Sequence, residues 1–256
     1  MQRATLQLQL FPDDGQPAAE TAGTLPAFSV RESGRAKRLS IKVFPRGRIE
    51  VVVPKRTRPA DVASFVAENR EWMRAAREEL TAGVPPEPFE LPDKVYLEAI
   101  DRRFRILYEE RAGASKVNWR QSGDTVKLAG PVADEQQCVA ALKRWLASVA
   151  KTEFAPRLEA LSALTQVPFS RMQVRAQRTC WGSRSCSGTI SLNVCLLFLR
   201  PTLLRYLLIH ELCHGKHMNH SRRFWAMVER FQPDSKCLDR ELGESWRTVP
   251  VWVGLV

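Results

Sequence analysis

Hydrophobic and polar positions along the chain follow two periods. From Arg38, apolar residues alternate as Leu39, Ile41 and Val43, then resume after Pro45-Arg46-Gly47 as Ile49, Val51 and Val53. A period of two on both sides of a glycine-containing turn predicts a hairpin, ended by Pro54 and Pro59. Val62, Phe65, Val66, Trp72 and Met73 fall near one face of a helix that the pattern carries to about Leu80. Pro85-Pro86-Glu87-Pro88 reads as a loop. Phe104, Ile106 and Tyr108 alternate with Arg103 and Arg105 as a half-buried strand. Val117–Arg120 and Thr125–Leu128 form a second predicted hairpin around Ser122-Gly123-Asp124. Leu142, Trp145, Leu146 and Val149 make a helical stripe, and Pro156 is expected to start another helix or kink this one. Met172 and Val174 open an extended stretch that CWGSRSCSG interrupts and Ile190 and Leu192 resume. Pro201 then begins a helix that runs through Leu203 to His214.

No internal repeat is present, and strands dominate the first half while helices dominate the second, so the expected class is α+β. Three regions are expected: a flexible tail over 1–28, a strand-rich basic region over 29–130, and a region over 131–256 that carries the chemistry described below. Residues 12–27, rich in Pro, Gly, Ala, Asp and Thr without a period, are the basis for the tail.

Composition narrows this further. The chain has 256 residues, enough for one large or two small domains, and at 44% hydrophobic and 26% charged it is globular rather than disordered. No run of about 18 apolar residues predicts a membrane span, and the start, MQRATLQLQLFPDDGQ, lacks the pattern of a secretory signal. Six cysteines without a C-x-x-C pair read as reduced thiols, so the expected location is cytoplasmic. The net charge is +11, and residues 29–58 hold ten basic residues against only Glu32 and Glu50. Such a segment attracts phosphate backbones, with a solvated face as the other reading.

All four histidines lie between His210 and His220. Leu207-Leu208-Ile209-His210-Glu211-Leu212-Cys213-His214 is H-E-x-x-H on a predicted helix. Imidazoles four residues apart share a helical face and reach one metal ion, while Glu211 stays free to handle a proton. Catalytic zinc takes three protein ligands and keeps one open position, and it lowers the pKa of its water toward about 7. His217 lies about 10.5 Å along a continuous helix from His210, too far to share a metal with it. His220 qualifies if the helix stops near Gly215 and the chain turns back at Met218-Asn219. The expected ligands of one Zn2+ are therefore His210, His214 and His220, with His217 a supporting group or an oxyanion donor. Phe224 and Trp225 read as core packed under the metal helix.

HELCHGKHMNHSRRFWAMVERFQPD resembles the signature of the YgjP-like metallopeptidases, relatives of the Spartan and SprT-like proteases. CWGSRSCSGTISLN resembles that family's Arg-Trp-Gly-Ser-Cys stretch and its following Ile-x-Leu-Asn strand. KRLSIKVFPRGRIEVVVP resembles its basic N-terminal hairpin. The likeness covers roughly residues 30–245. It implies a zincin-type fold whose edge strand leads into the active-site helix, with His210, His214 and His220 on zinc and Glu211 as the catalytic carboxylate. Trp181-Gly182-Ser183 reads as a bulge or a substrate-lining edge, Arg184 as an oxyanion donor or a salt-bridged or solvated charge, and these residues with Asn193 are the candidates for supporting the site or binding substrate. Three positions depart from the family pattern: Cys180 stands for its Arg, Arg184 for its Cys, and Arg205 for the acidic residue before Tyr206.

Gln7-Leu8-Gln9-Leu10-Phe11 resembles the peptide by which bacterial replication and repair proteins bind the sliding clamp, with Gln7, Leu8, Leu10 and Phe11 as anchors. An ordinary short strand is the other reading. The leading expectation is a zinc-dependent metallopeptidase acting on protein or peptide. Two alternatives stand beside it. One is a metal-dependent hydrolase of a nucleotide phosphoanhydride. The other is a DNA- or clamp-associated adaptor whose metal is structural, which four protein ligands would mark.

Overall fold

The computed structural model describes residues 26–34, 36–43, 49–81, 90–177 and 180–254. Two compact units emerge, Met1–Pro86 and Glu87–Val256. The division thus falls near residue 86, and residues 87–130, grouped by sequence with the N-terminal region, pack with the C-terminal unit. Their apolar rows, such as Phe104 and Ile106, face the same core as the later helices.

In the first unit, β1 (Phe28–Ser33), β2 (Ser40–Val43) and β3 (Ile49–Pro54) form a sheet in the order β1-β3-β2. The expected hairpin is β2 and β3, antiparallel, with its turn outside the described residues; β1 runs parallel to β3. The single expected helix is two, α1 (Pro59–Glu68) and α2 (Arg70–Thr81). They divide at Asn69, whose Nδ2 donates to Phe65 O at 2.8 Å and so competes with the helical ladder. Ile49, Val51, Val53, Val62, Val66 and Met73 form the core of this unit.

The second unit opens with β4 (Lys94–Leu97), β5 (Arg102–Glu110), β6 (Asn118–Ser122) and β7 (Thr125–Gly130), ordered β4-β5-β7-β6. The 31-residue α3 (Glu135–Thr165) follows, capped by Asp134, which accepts from Gln137 N. It runs through Pro156 without a break. Phe154 and Leu158, both fully buried, anchor it on each side, and that burial outweighs the lost hydrogen bond.

β8 (Arg171–Arg175), β9 (Gly182–Arg184) and β10 (Thr189–Asn193) make a sheet ordered β8-β10-β9. β10 pairs parallel to β8 and antiparallel to β9, leaving β9 an edge strand. Ile190 and Leu192 face the core. α4 (Pro201–Cys213) begins at Pro201 as the sequence predicts and is buried nearly all round, the pattern of a central helix. α5 (Arg222–Phe231), α6 (Ser235–Glu244) and α7 (Val251–Gly254) complete the chain. The architecture is α+β. None of the helices among the described residues is long and apolar enough to cross a membrane. All six cysteines are free.

Candidate active site

α4 ends where the third imidazole requires it to. Gly215 N donates to Leu212 O at 2.8 Å and His217 N to Cys213 O at 3.1 Å, which closes the helix in a tight turn. The chain then returns to Ser221, whose Oγ caps α5 by accepting from Phe224 N. Gly215 is not in the left-handed region; it is needed for space. A Cβ there would come within 2.5 Å of Val167 Cγ1 and 2.8 Å of Arg184 Nη2. The sequence points to Gly215 as a turn former, whereas its role is close approach.

This turn brings three nitrogens together. His214 Nε2 lies 3.2 Å and His220 Nε2 3.1 Å from His210 Nε2, and among the described residues these three side chains form the cluster that could hold a metal ion. Lone pairs of neutral imidazoles at that distance repel unless a cation lies among them. The spacing is close to the ~3.3 Å edge of a tetrahedron built on Zn–N bonds of about 2.0–2.1 Å. The donor set therefore fits a metal ion.

The imidazoles are also held in the right form. Tyr206 gives its hydroxyl proton to Asp239 Oδ1 at 2.7 Å, so its oxygen is left to accept from His210 Nδ1 at 3.2 Å. His214 Nδ1 donates to His217 O at 3.1 Å. Both bonds fix the proton on Nδ1 and free Nε2. Burial, then the neighbouring His214 and His220, pull the pKa of His210 down to about 3. Burial also lowers that of His214, so both are neutral near pH 7. Phe224, fully buried, stacks on His214 at 4.5 Å and meets His210 and His220 edge-on, so the aromatic read as core is the floor of the cluster. Trp225, half-buried, lies 5.9 Å from His220.

Glu211 is not part of the imidazole cluster and lies against Gly182 of β9. It is 3% exposed, and its Oε2 is buried without a protein partner. Burial pushes its pKa up to about 8, against the opposing pull of the Arg184 guanidinium. Gly182 is indispensable here: a Cβ would sit 2.7 Å from Glu211 Oε1.

The other expected site residues separate into roles. Gly182 and Arg184 share the inner face of β9, and Ser183 takes the outer face. Arg184 Nη2 donates to Pro168 O at 2.7 Å, and its Nη1 is buried without a partner. Trp181 stacks on Trp246 at 3.9 Å. Asn193 is fully buried and is a loop pin rather than a substrate contact. Its Nδ2 donates to Gln177 O and Cys180 O, and its Oδ1 accepts from Cys195 N. His217 contributes its carbonyl, and its ring stays outside the cluster. Gln7, Leu8, Leu10 and Phe11 lie outside the described residues. Tyr206 and Asp239 went unnoticed in the sequence. Tyr206 is signalled by lying four residues before His210 on one helix; Asp239 arrives from α6 with no local signal.

Three imidazoles with their Nε2 atoms turned to one another, and a buried carboxylate on the helix that carries two of them, define a metallopeptidase-type centre. The profile of the YgjP-like, metallopeptidase domain matches residues 37–245. The chain belongs to the YgjP-like metallopeptidase family. The crystal structure of the metallopeptidase zymogen of Pyrococcus abyssi abylysin is similar at 28% identity, over 34% of this chain and 90% of that one, with a TM-score of 0.32. The zymogen of Methanocaldococcus jannaschii jannalysin is similar at 18% identity, over 35% and 93%, also with a TM-score of 0.32. A search of curated proteins gives no match.

Proposed function

We propose that this metal-dependent peptidase uses one zinc ion held by His210, His214 and His220, with Glu211 as its proton carrier. The observation that carries this reading is the convergence of three Nε2 atoms at the helix that also holds Glu211, whose Oε2 is buried without a partner. When bound, zinc supplies a Lewis acid that polarises the scissile carbonyl and acidifies the attacking water. Glu211 Oε2 takes a proton from that water as its oxygen bonds to the carbonyl carbon. The same carboxyl then gives the proton to the amide nitrogen as the C–N bond breaks. Arg184 lowers the proton affinity of Glu211 and keeps it ready to ionise. The free edge of β9 offers backbone groups to an extended peptide beside Glu211.

Neither His217 nor Cys213 joins the cluster, so a fourth position is left for substrate, which favours catalysis over a closed structural site. The test is Glu211→Gln. The variant should bind zinc stoichiometrically by metal analysis and lose cleavage of a quenched-fluorescent peptide library. Full turnover in that variant would overturn the mechanism.

A further inference from the structure

The sheet that floors the site has a second face, and its chemistry is unlike the first. Along β8, β10 and β9 the outward positions are Arg171, Gln173 and Arg175, then Thr189 and Ser191, then Ser183. Thr189 pairs with Arg171, and Ser191 lies between Gln173 and Ser183. They line an open cavity of about 340 Å³ whose other residues are Arg184, Ser185 and Ser187. No carboxylate and no apolar side chain lines it.

The polar groups there are biased toward donation. Arg175 Nε and Nη2 both donate to Gln173 Oε1, at 3.2 and 2.7 Å, which occupies the amide oxygen and leaves the Gln173 NH2 to donate outward. Ser183, Thr189 and Ser191 bring further hydroxyls, beside Ser185 and Ser187, which bond to each other at 2.8 Å. Neither Arg171 nor Arg175 pairs with a carboxylate among the described residues. Arg184 has given Nη2 to Pro168 O, so the bonding rests on the other two arginines. The sequence reinforces the field. Between Glu159 and Glu211 there is no Asp or Glu, whereas the same stretch holds Arg171, Arg175, Arg178, Arg184, Arg200 and Arg205.

We propose that this outer face binds the phosphate backbone of nucleic acid without reading its bases. Arg171 and Arg175 are four residues apart on one strand, about 13 Å, a span that reaches two separate phosphates rather than one small anion. Arginine, serine, threonine and glutamine side chains are the groups that contact phosphate oxygens. A small nucleotide would need an apolar enclosure for its base, and a stacked single strand would need aromatic platforms; the face has neither. The face is distinct from the metal cluster, and the inference does not depend on zinc or on Glu211.

The test uses the full chain and a short, labelled, mixed-sequence DNA duplex in anisotropy titrations at several salt concentrations. Arg171→Gln with Arg175→Gln should weaken binding at least tenfold and reduce the slope of log K against log salt by about two. Arg171→Lys with Arg175→Lys should keep most of both, and a second duplex of different sequence should bind equally. Thermal melting of each variant establishes that the fold is retained. Unchanged affinity and slope in the glutamine pair would overturn the proposal. So would displacement of the duplex by ATP at equal phosphate concentration, or loss of binding only in Lys42→Gln with Lys55→Gln, which belong to the N-terminal unit.

Discussion

The β1-β3-β2 and β8-β10-β9 sheets are built alike. In each, the last strand is central, parallel to the first and antiparallel to the second. Their surroundings differ. Among the described residues, the first sheet is covered by a core of six buried apolar side chains, closed by α1 and α2. The second belongs to a core of forty-three on the same basis, which also contains the helix that carries two of the imidazoles. In the first, the one buried charge among the described residues, Glu50, is met by Arg31 at 3.0 Å. In the second, Glu211 has an oxygen without a partner. Equal topology thus serves two ends. A satisfied buried carboxylate is structural, and an unsatisfied one held by a large, rigid core is available for chemistry.

The strongest way to break this contrast is to remove the unsatisfied carboxylate. Glu211→Gln should lower peptide turnover by about 10²–10⁴-fold in steady-state assays, whereas Glu50→Gln should leave turnover intact. Next, Gly182→Ala places a Cβ against Glu211 Oε1 and should cost about 10²-fold in turnover with metal content unchanged, since the carboxylate must shift. Asp239→Asn and Tyr206→Phe loosen the hold on His210 and should weaken metal binding by about 10–100-fold in chelator competition. Met73→Ala empties part of the small core and should destabilise the N-terminal unit by about 2–5 kcal/mol, read by hydrogen exchange of β3 amides, with turnover preserved.

The smallest effect is in the pH dependence of the metal-free protein. His210 has a folded pKa of about 3 against an ordinary 6.5, so its contribution is present above 6.5 and is lost as pH falls toward 3. Glu211 has a folded pKa of about 8 against 4.5, so its contribution is present below 4.5 and is lost as pH rises toward 8. The two slopes oppose each other between 4.5 and 6.5. Melting temperature should therefore be flat there and fall on both sides, and Glu211→Gln should remove the alkaline fall and turn the plateau into a continued rise up to about pH 6.5.

What the sequence reveals depends on how local the cause is. The i, i+4 pair His210 and His214, the turn that returns His220, the two hairpins and the start of α4 at Pro201 all arise within short windows, and all are legible. The strand at Met172 and Val174 is legible too, but the parallel pairing of β1 with β3 and of β8 with β10 is not, because nothing near them in the sequence specifies a partner reached through a crossover. The continuity of α3 through Pro156 is set by tertiary burial rather than by propensity. Gly182 and Gly215 are visible as residues, but the atoms that forbid a Cβ, Glu211 Oε1, Val167 Cγ1 and Arg184 Nη2, come from other elements. Asp239 is likewise invisible until α6 packs on α4.

That packing has a thermodynamic consequence. Asp239 reaches Tyr206, and Glu241 on the same helix pairs with Arg200 at the start of α4. α6 is therefore fastened at the start and at the middle of the helix that presents His210. Ion binding and the docking of α6 share one free energy of coupling, and each must strengthen the other by the same factor. Loading the ion should slow amide exchange in α6, and any ligand or substitution that holds α6 in place should tighten the ion without touching a single imidazole.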